Sequence, residues 1–341
     1  MRHFILGVTL GCAALSLAAG GSAPAAAADC ANDPQSCAAP FTVDGLALRL
    51  YASAPFAASY PEVRRALIVV HGNEGNAEGY FKTALAASAA AKQGDGTLIL
   101  APHFVEQAQK TAPPAGSLAW ERGGDWRAGD LSSAKATPRV SSFTVMDRLL
   151  TTLADKTRFP NLQSVVIAGH SAGGQYVQRY AVLRGAEAAG PIALRFVVAN
   201  PSSYLYLDAR RPDPAAPGAF RPPTGSACAA NRYKYGLERG NGAVEAAVAA
   251  LGVAGLADRF RRQSVTYLLG ESDNDPNHRL LDKGCAARAQ GSTRLARGLA
   301  FKRYLDSYYA PHAQRVETVP GVGHSAARMF RSRAGLAALF P

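Results

Sequence analysis

The chain has 341 residues, 48% hydrophobic and 18% charged, with a formal charge of +12 at pH 7. That length suits two domains, although α/β folds often run this long as one. The arginines stand singly or in pairs (Arg64-Arg65, Arg210-Arg211, Arg261-Arg262) rather than in a basic run interleaved with aromatics, which argues against a nucleic-acid partner.

Met1-Arg2-His3, an apolar stretch from Phe4 to about Ala19 and an alanine-rich stretch from Gly20 to Ala28 read as a signal peptide over 1–28, cut before Asp29. The apolar stretch is too short for a membrane span of about 20 residues, and no other stretch approaches one. A lipoprotein reading through Cys12 would leave only Phe4 to Gly11 as the apolar core. The mature chain, 29–341, is expected to be a soluble, secreted or periplasmic single domain. It keeps Cys30, Cys37, Cys228 and Cys285, and an even count in an exported chain reads as two disulfides. Of the possible pairings, a local Cys30–Cys37 loop and a Cys228–Cys285 staple are expected. No cysteine or histidine sits at metal-ligand spacing.

In chain order, Phe41–Val43 and Leu46–Tyr51 bracket Asp44-Gly45 as a hairpin or pair of edge strands. Ala66–Val70 is a continuous apolar run of the kind found in buried parallel strands, followed by His71-Gly72-Asn73 and a helix over about 77–91. Thr97–Ala101 is a further strand. From Glu106 to Ser133 periodicity is lost around Trp120 and Trp126, and a loop this long is usually functional or disordered. The two tryptophans argue against disorder. A helix over 141–155 presents Phe143, Met146, Leu149, Leu150 and Leu153 on one face.

Val165–Ala168 then runs into Gly169-His170-Ser171-Ala172-Gly173-Gly174, and a helical pattern follows from Gln175. In this glycine-rich chain the bare Gly-x-Ser-x-Gly pentapeptide says little. Its setting of strand, sharp turn and helix marks a nucleophile elbow. Leu194–Ala199 is the next strand. A proline-rich segment with the run Tyr204-Leu205-Tyr206-Leu207 opens an insertion over about 201–262, expected as a partial lid above the strand ends. A helix around 243–260 closes it. Ser264–Leu269 and Arg315–Val319 are the last strands, with helices over about 293–309 and 326–340. Alternating strands and helices predict a mostly parallel central sheet with helices on both faces.

Functional residues gather beyond the carboxyl ends of such strands. Here the ends carry His71-Gly72-Asn73, Ser171, Asp273 and His324, and the order Ser171, Asp273, His324 is that of a serine-acid-histidine triad. Asp275 competes with Asp273 as the acid, with Glu271 and Asp282 more remote. His170, His71, His103, His278 and His312 are read as structural, loop or surface histidines. Trp126 either walls an acyl or aromatic pocket or pins the long loop. Tyr204 and Tyr206 either line the cleft or pack within the insertion.

The Gly-His-Ser-Ala-Gly-Gly elbow, the early His71-Gly72 segment and the Gly-x-x-Asp and Gly-x-Gly-His-Ser strand ends resemble the α/β-hydrolase superfamily from about residue 63 onward. The resemblance implies Ser171 as nucleophile, His324 as general base then acid, Asp273 as orienting carboxylate, and an oxyanion hole from the backbone N–H groups of Ala172 and Asn73. It implies a serine hydrolase of small-molecule or polymeric carboxylic esters, without metal or organic cofactor. A peptidase on the same fold would share these residues. A non-catalytic binding protein, the reading from another class, commonly lacks the serine or the histidine.

Overall fold

The computed structural model describes residue 1 and residues 29–341, except 57, 107–114, 122–124, 136, 186–189, 191 and 224–227. The expected signal peptide and Cys12 therefore lie outside the described residues, as does part of the tryptophan loop. Among the described residues no helix is long and apolar enough to cross a membrane.

Ten strands alternate with eight helices among the described residues. β1 (Ala38–Val43) and β2 (Leu46–Ala52) form a hairpin, followed by β3 (Arg65–Val70), α1 (Ala77–Ala90), β4 (Thr97–Pro102) and α2 (Ser142–Ala154). Next come β5 (Ser164–His170), α3 (Ala172–Leu183), β6 (Ala193–Ala199), β7 (Arg211–Pro212), β8 (Phe220–Arg221) and α4 (Gly242–Arg262). The chain ends through β9 (Ser264–Gly270), α5 (Cys285–Arg288), α6 (Arg294–Tyr308), β10 (Arg315–Val319), α7 (Ala326–Phe330) and α8 (Arg333–Leu339). Eight strands make one sheet in the order β1-β2-β4-β3-β5-β6-β9-β10, while β7 and β8 form a separate ribbon. β2 runs antiparallel to both its neighbours; β4, β3, β5, β6, β9 and β10 pair in parallel.

The sheet sorts its apolar residues by the two-residue period of a strand. Ile68, Val70, Leu98, Leu100, Val165, Ile167, Phe196 and Val198 face a core packed by α2, α3, α4 and α6. Leu67, Val69, Ile99, Ala101, Val166, Ala168, Val197 and Leu268 face a second core closed by α1, α7 and α8. Burial on both faces explains why these strands read as unbroken apolar runs. Helix starts are capped locally: Asn76, Ser141, Asn241 and Thr293 each accept an N–H from the first turn of the helix that follows.

The two disulfides join Cys30 to Cys37 and Cys228 to Cys285. At the start of the insertion the chain packs inward rather than over the strand ends. Tyr204, Leu205, Tyr206 and Leu207 are wholly buried, with Tyr204 stacked on Phe301 (4.7 Å between centroids) and Tyr206 against Tyr304 (4.6 Å). So apolar a run gains more from filling the groove beside α6 than from standing over the strand ends.

Candidate active site

The sharp turn after β5 exists because three glycines allow it. A Cβ at Gly169 would lie 2.2 Å from the Gly173 carbonyl oxygen, and one at Gly173 would lie 2.1 Å from that of Val70. At Gly174 it would meet the Ala199 oxygen at 2.8 Å. Strand and helix therefore cross in contact, and the turn residue between them, Ser171, is forced to φ 59°, ψ −118°. That is a strained conformation for a side-chain-bearing residue. Its N–H is fixed on the Ala199 carbonyl at 2.9 Å, which leaves the hydroxyl free to line a cavity.

His324 reaches that hydroxyl from the opposite side. The loop after β10 is tied to the end of β9, with the Glu271 N–H on the Val319 carbonyl (3.1 Å) and the Ser272 N–H on that of Val322 (3.0 Å). Asn200, at the end of β6, braces the same corner by donating to the Gly323 carbonyl (3.3 Å) and accepting the Gly270 N–H (2.8 Å). The His324 ring thus lies with Nε2 2.9 Å from Ser171 Oγ and Nδ1 2.7 Å from Asp273 Oδ2. Asp273 is buried. A carboxylate beside Nδ1 holds the proton there, so Nε2 accepts the serine O–H.

Asp275 does not join this chain. It is exposed and caps its own loop by accepting the Asn277 N–H at 2.8 Å. Glu271 is exposed as well, and Asp282 accepts the Tyr235 hydroxyl at 2.7 Å.

Ala172 is the first residue of α3, so its N–H has no intrahelical acceptor. Asn73 follows the end of β3, and its side-chain oxygen takes a hydrogen bond from Arg127. Arg127 in turn pairs with Asp125, which also accepts Lys234 Nζ at 2.6 Å. Burial alone would raise the Asp125 carboxyl, but Lys234, Arg127 and Arg179 hold it well below the usual range. The charge is therefore permanent at working pH.

Two more histidines lie beside the site. His71 is enclosed: Nδ1 lies 2.7 Å from the Gly72 carbonyl and Nε2 accepts the Phe104 N–H at 3.0 Å. Burial pulls its pKa down to about 3 against the opposing pull of the Gly72 contact, so the ring is a neutral brace. The His170 ring centre is 4.6 Å from that of His324, and Nδ1 is 3.2 Å from the Tyr80 hydroxyl. Burial, then the proximity of His324 and Arg294, keeps it well below its ordinary value.

The cavity at Ser171 holds about 290 Å³ and is lined by Gly72–Glu74, Asn76, Tyr80, His170, His278–Leu280, His324 and Ala326. Glu74 and Arg279 pair across its mouth. Among the described residues, 201–262 contributes no lining residue. The roof comes instead from the loop after β9. Trp126 and Tyr204, for which the sequence left both a substrate contact and a packing role open, do not line it either. Trp126 is 1% exposed, stacked at 5.1 Å on Phe104 and 4.9 Å from the His71 ring. It pins the long loop to the core, as its size and apolarity favour. Tyr204 has the buried place beside Phe301 already described.

Sequence reasoning missed Arg294, Ser202 and the position of His278. Arg294 donates to Asp273 Oδ1 at 3.1 Å and to Ser202 Oγ at 3.2 Å, and reaches His278 Nδ1 at 3.3 Å. A signal was present. Arg294 and Arg297 continue, at helical spacing, the stripe that buries Phe301, Tyr304 and Leu305 on α6. Arginines on a buried stripe need partners, and Asp273 is one. Among the described residues no group of three His, Cys, Asp or Glu is arranged to hold a metal ion.

No family model matches the sequence, and no curated protein matches it. Solved structures do. A poly(aspartic acid) hydrolase from Sphingomonas sp. KT-1 superposes with TM-score 0.61 at 24% identity, over 89% of this chain and 98% of that one. A poly(3-hydroxybutyrate) depolymerase, LpqC from Bordetella parapertussis, superposes with TM-score 0.60 at 23% identity, over 88% of each chain. With a parallel sheet broken only by its second strand, and a nucleophile-type elbow at the end of the fifth, the chain has the α/β-hydrolase fold.

Proposed function

We propose that the protein is a serine hydrolase that cleaves carboxylic esters through an acyl-enzyme. The observation that carries this reading is the hydrogen-bonded chain from Ser171 Oγ through His324 to Asp273. Ser171 Oγ forms a bond to the ester carbonyl carbon as its proton passes to His324 Nε2. The oxyanion lies on the N–H groups of Ala172 and Asn73, each such donor contributing about 3 kcal/mol in the transition state. On collapse the C–O bond to the alcohol breaks and His324 Nε2 protonates the leaving oxygen. Water then adds to the acyl-serine with its proton going to His324, and the acid leaves as Ser171 regains its hydrogen.

The small and largely polar cavity favours short or hydroxylated acyl groups over long fatty chains. Of the two polymer hydrolases of the same fold, the poly(3-hydroxybutyrate) depolymerase adds a polyester of such units to the candidate substrates, whereas poly(aspartic acid) is an amide-linked chain and bears on the peptidase alternative. Export is supported by the two disulfides, which persist in oxidising compartments.

The test is hydrolysis of p-nitrophenyl esters of graded length by wild type and Ser171→Ala. The expected result is highest kcat/KM at two to four carbons, on the order of 10⁴–10⁶ lower kcat in the variant, and an unchanged fold by circular dichroism. Equal rates in the two proteins would remove Ser171 from the chemistry.

A further inference from the structure

One oxygen of Asp273 serves His324, and the other is held by a buried arginine that no step of ester hydrolysis uses. Arg294 is 1% exposed and opens α6. Nη1 donates to Asp273 Oδ1 (3.1 Å), Nε to Ser202 Oγ (3.2 Å), and Nη2 lies 3.3 Å from His278 Nδ1. With His324 on Oδ2 at 2.7 Å, the carboxylate cannot turn without breaking a buried, charge-assisted contact.

We propose that Arg294 is a positioning residue of the triad, which locks Asp273 in place for His324 and, by sharing the carboxylate's charge, extends activity toward lower pH. The proposal rests on the Ser171 reading above. An aspartate alone beside a histidine favours the imidazolium. Here a guanidinium on the same carboxylate opposes the charge that would build up on His324, in a site where water screens little.

The other groups around His324 do not supply this effect by carrying charge. His170 faces it from β5 and is held neutral by burial. His278 faces it from the loop after β9, with ring centres 5.0 Å apart. Its Nδ1 accepts the Leu280 N–H at 3.2 Å as well as facing Arg294, so the neutral ring carries its proton on Nε2. Desolvation, then Arg294 and His324, lowers its affinity for a second proton. Tyr80 stands behind His170, Asp275 is exposed beyond Asp273, and Glu74 and Arg279 satisfy each other at the cavity mouth.

The experiment compares wild type with Arg294→Gln, Arg294→Met and Arg294→Lys. Gln and Met remove the charge, Gln keeping an N–H donor; Lys keeps the charge without the fork. The readout is kcat/KM for p-nitrophenyl acetate against pH, per active site counted by titration with a fluorophosphonate. We expect the acid limb of the Gln and Met variants to move up by about one pH unit and that of Lys to stay at the wild-type position. Plateau kcat should fall most in Met, by tenfold or more. A limb unmoved in Gln or Met overturns the proposal, because a merely structural role lowers the number of titratable sites and leaves the limb in place. A limb that moves in Lys as far as in a neutral variant also overturns it, so the test survives a neutral variant that fails to fold. Wild type that takes no phosphonate would instead sink the Ser171 reading itself.

Discussion

At Gly169 and Gly173 a single Cβ separates a working turn from a collision. Gly173→Ala places a methyl group 2.1 Å from the Val70 carbonyl oxygen, where neither strand nor helix can yield. Loss of about 3 kcal/mol or more of stability is expected, with esterase activity gone. Urea unfolding beside a p-nitrophenyl acetate assay checks both, and a stable, active variant would contradict the account of the elbow. The buried histidines set a pH dependence at the same scale. His71, lowered by burial to about 3, and His170, also lowered by burial, are neutral when folded. Unfolded, each takes a proton near pH 6.5. Their contribution is complete above that value and declines as pH falls below it, for His71 toward about 3, because the unfolded state then binds more protons. Each ring costs up to about 1.4 kcal/mol per pH unit in that window. Urea midpoints should be level from pH 8 to 7 and drop between pH 6 and 4. A midpoint at pH 4.5 equal to that at pH 7 would show that these rings can be protonated in the fold.

Among the elements, α4 shows where a glycine is needed for its own backbone alone. Gly252 interrupts the helix at φ 64°, ψ 167°, with open space where a Cβ would stand. Gly252→Ala should lower stability by about 1–3 kcal/mol through backbone strain and leave ester hydrolysis unchanged. A loss of activity would tie α4 to the site. Most elements were legible in the sequence because their signals are local. The runs before Ser171 and His71 are buried on both faces, and the caps at Ser141 and Thr293 adjoin apolar stripes. The chemistry-bearing strand ends were legible for the same reason, since each follows a strand directly. Arg294 and the roof formed by His278, Arg279 and Leu280 were harder to read, because they depend on where a loop lies against a distant helix. Tyr204 is undecided in the sequence for the same reason. Its alternation with leucine suits a cleft wall as well as a core, and only the groove beside Phe301 and Tyr304 decides between them.

For the molecule as a whole, the sheet supplies a rigid floor while the segments above it are fastened by other means. Cys228 and Cys285 join the insertion to α5 across 57 residues of sequence. In the chain-entropy account a loop of that size is worth about 4 kcal/mol. The Cys228→Ala/Cys285→Ala pair should lower the urea midpoint accordingly, more than opening the Cys30–Cys37 loop of 7 residues. An equal or larger loss from the shorter loop would place the fold's weak point at its N-terminal edge.

The central claim is that Ser171 is a nucleophile activated by His324 and Asp273, and a covalent probe tests it most directly. Wild type treated with a fluorophosphonate, then analysed by intact mass and peptide mapping, should gain a single adduct on the peptide carrying Ser171. Labelling should fall by orders of magnitude in His324→Ala and vanish in Ser171→Ala. Absence of the adduct from folded wild type, or its appearance on another residue, would contradict the account.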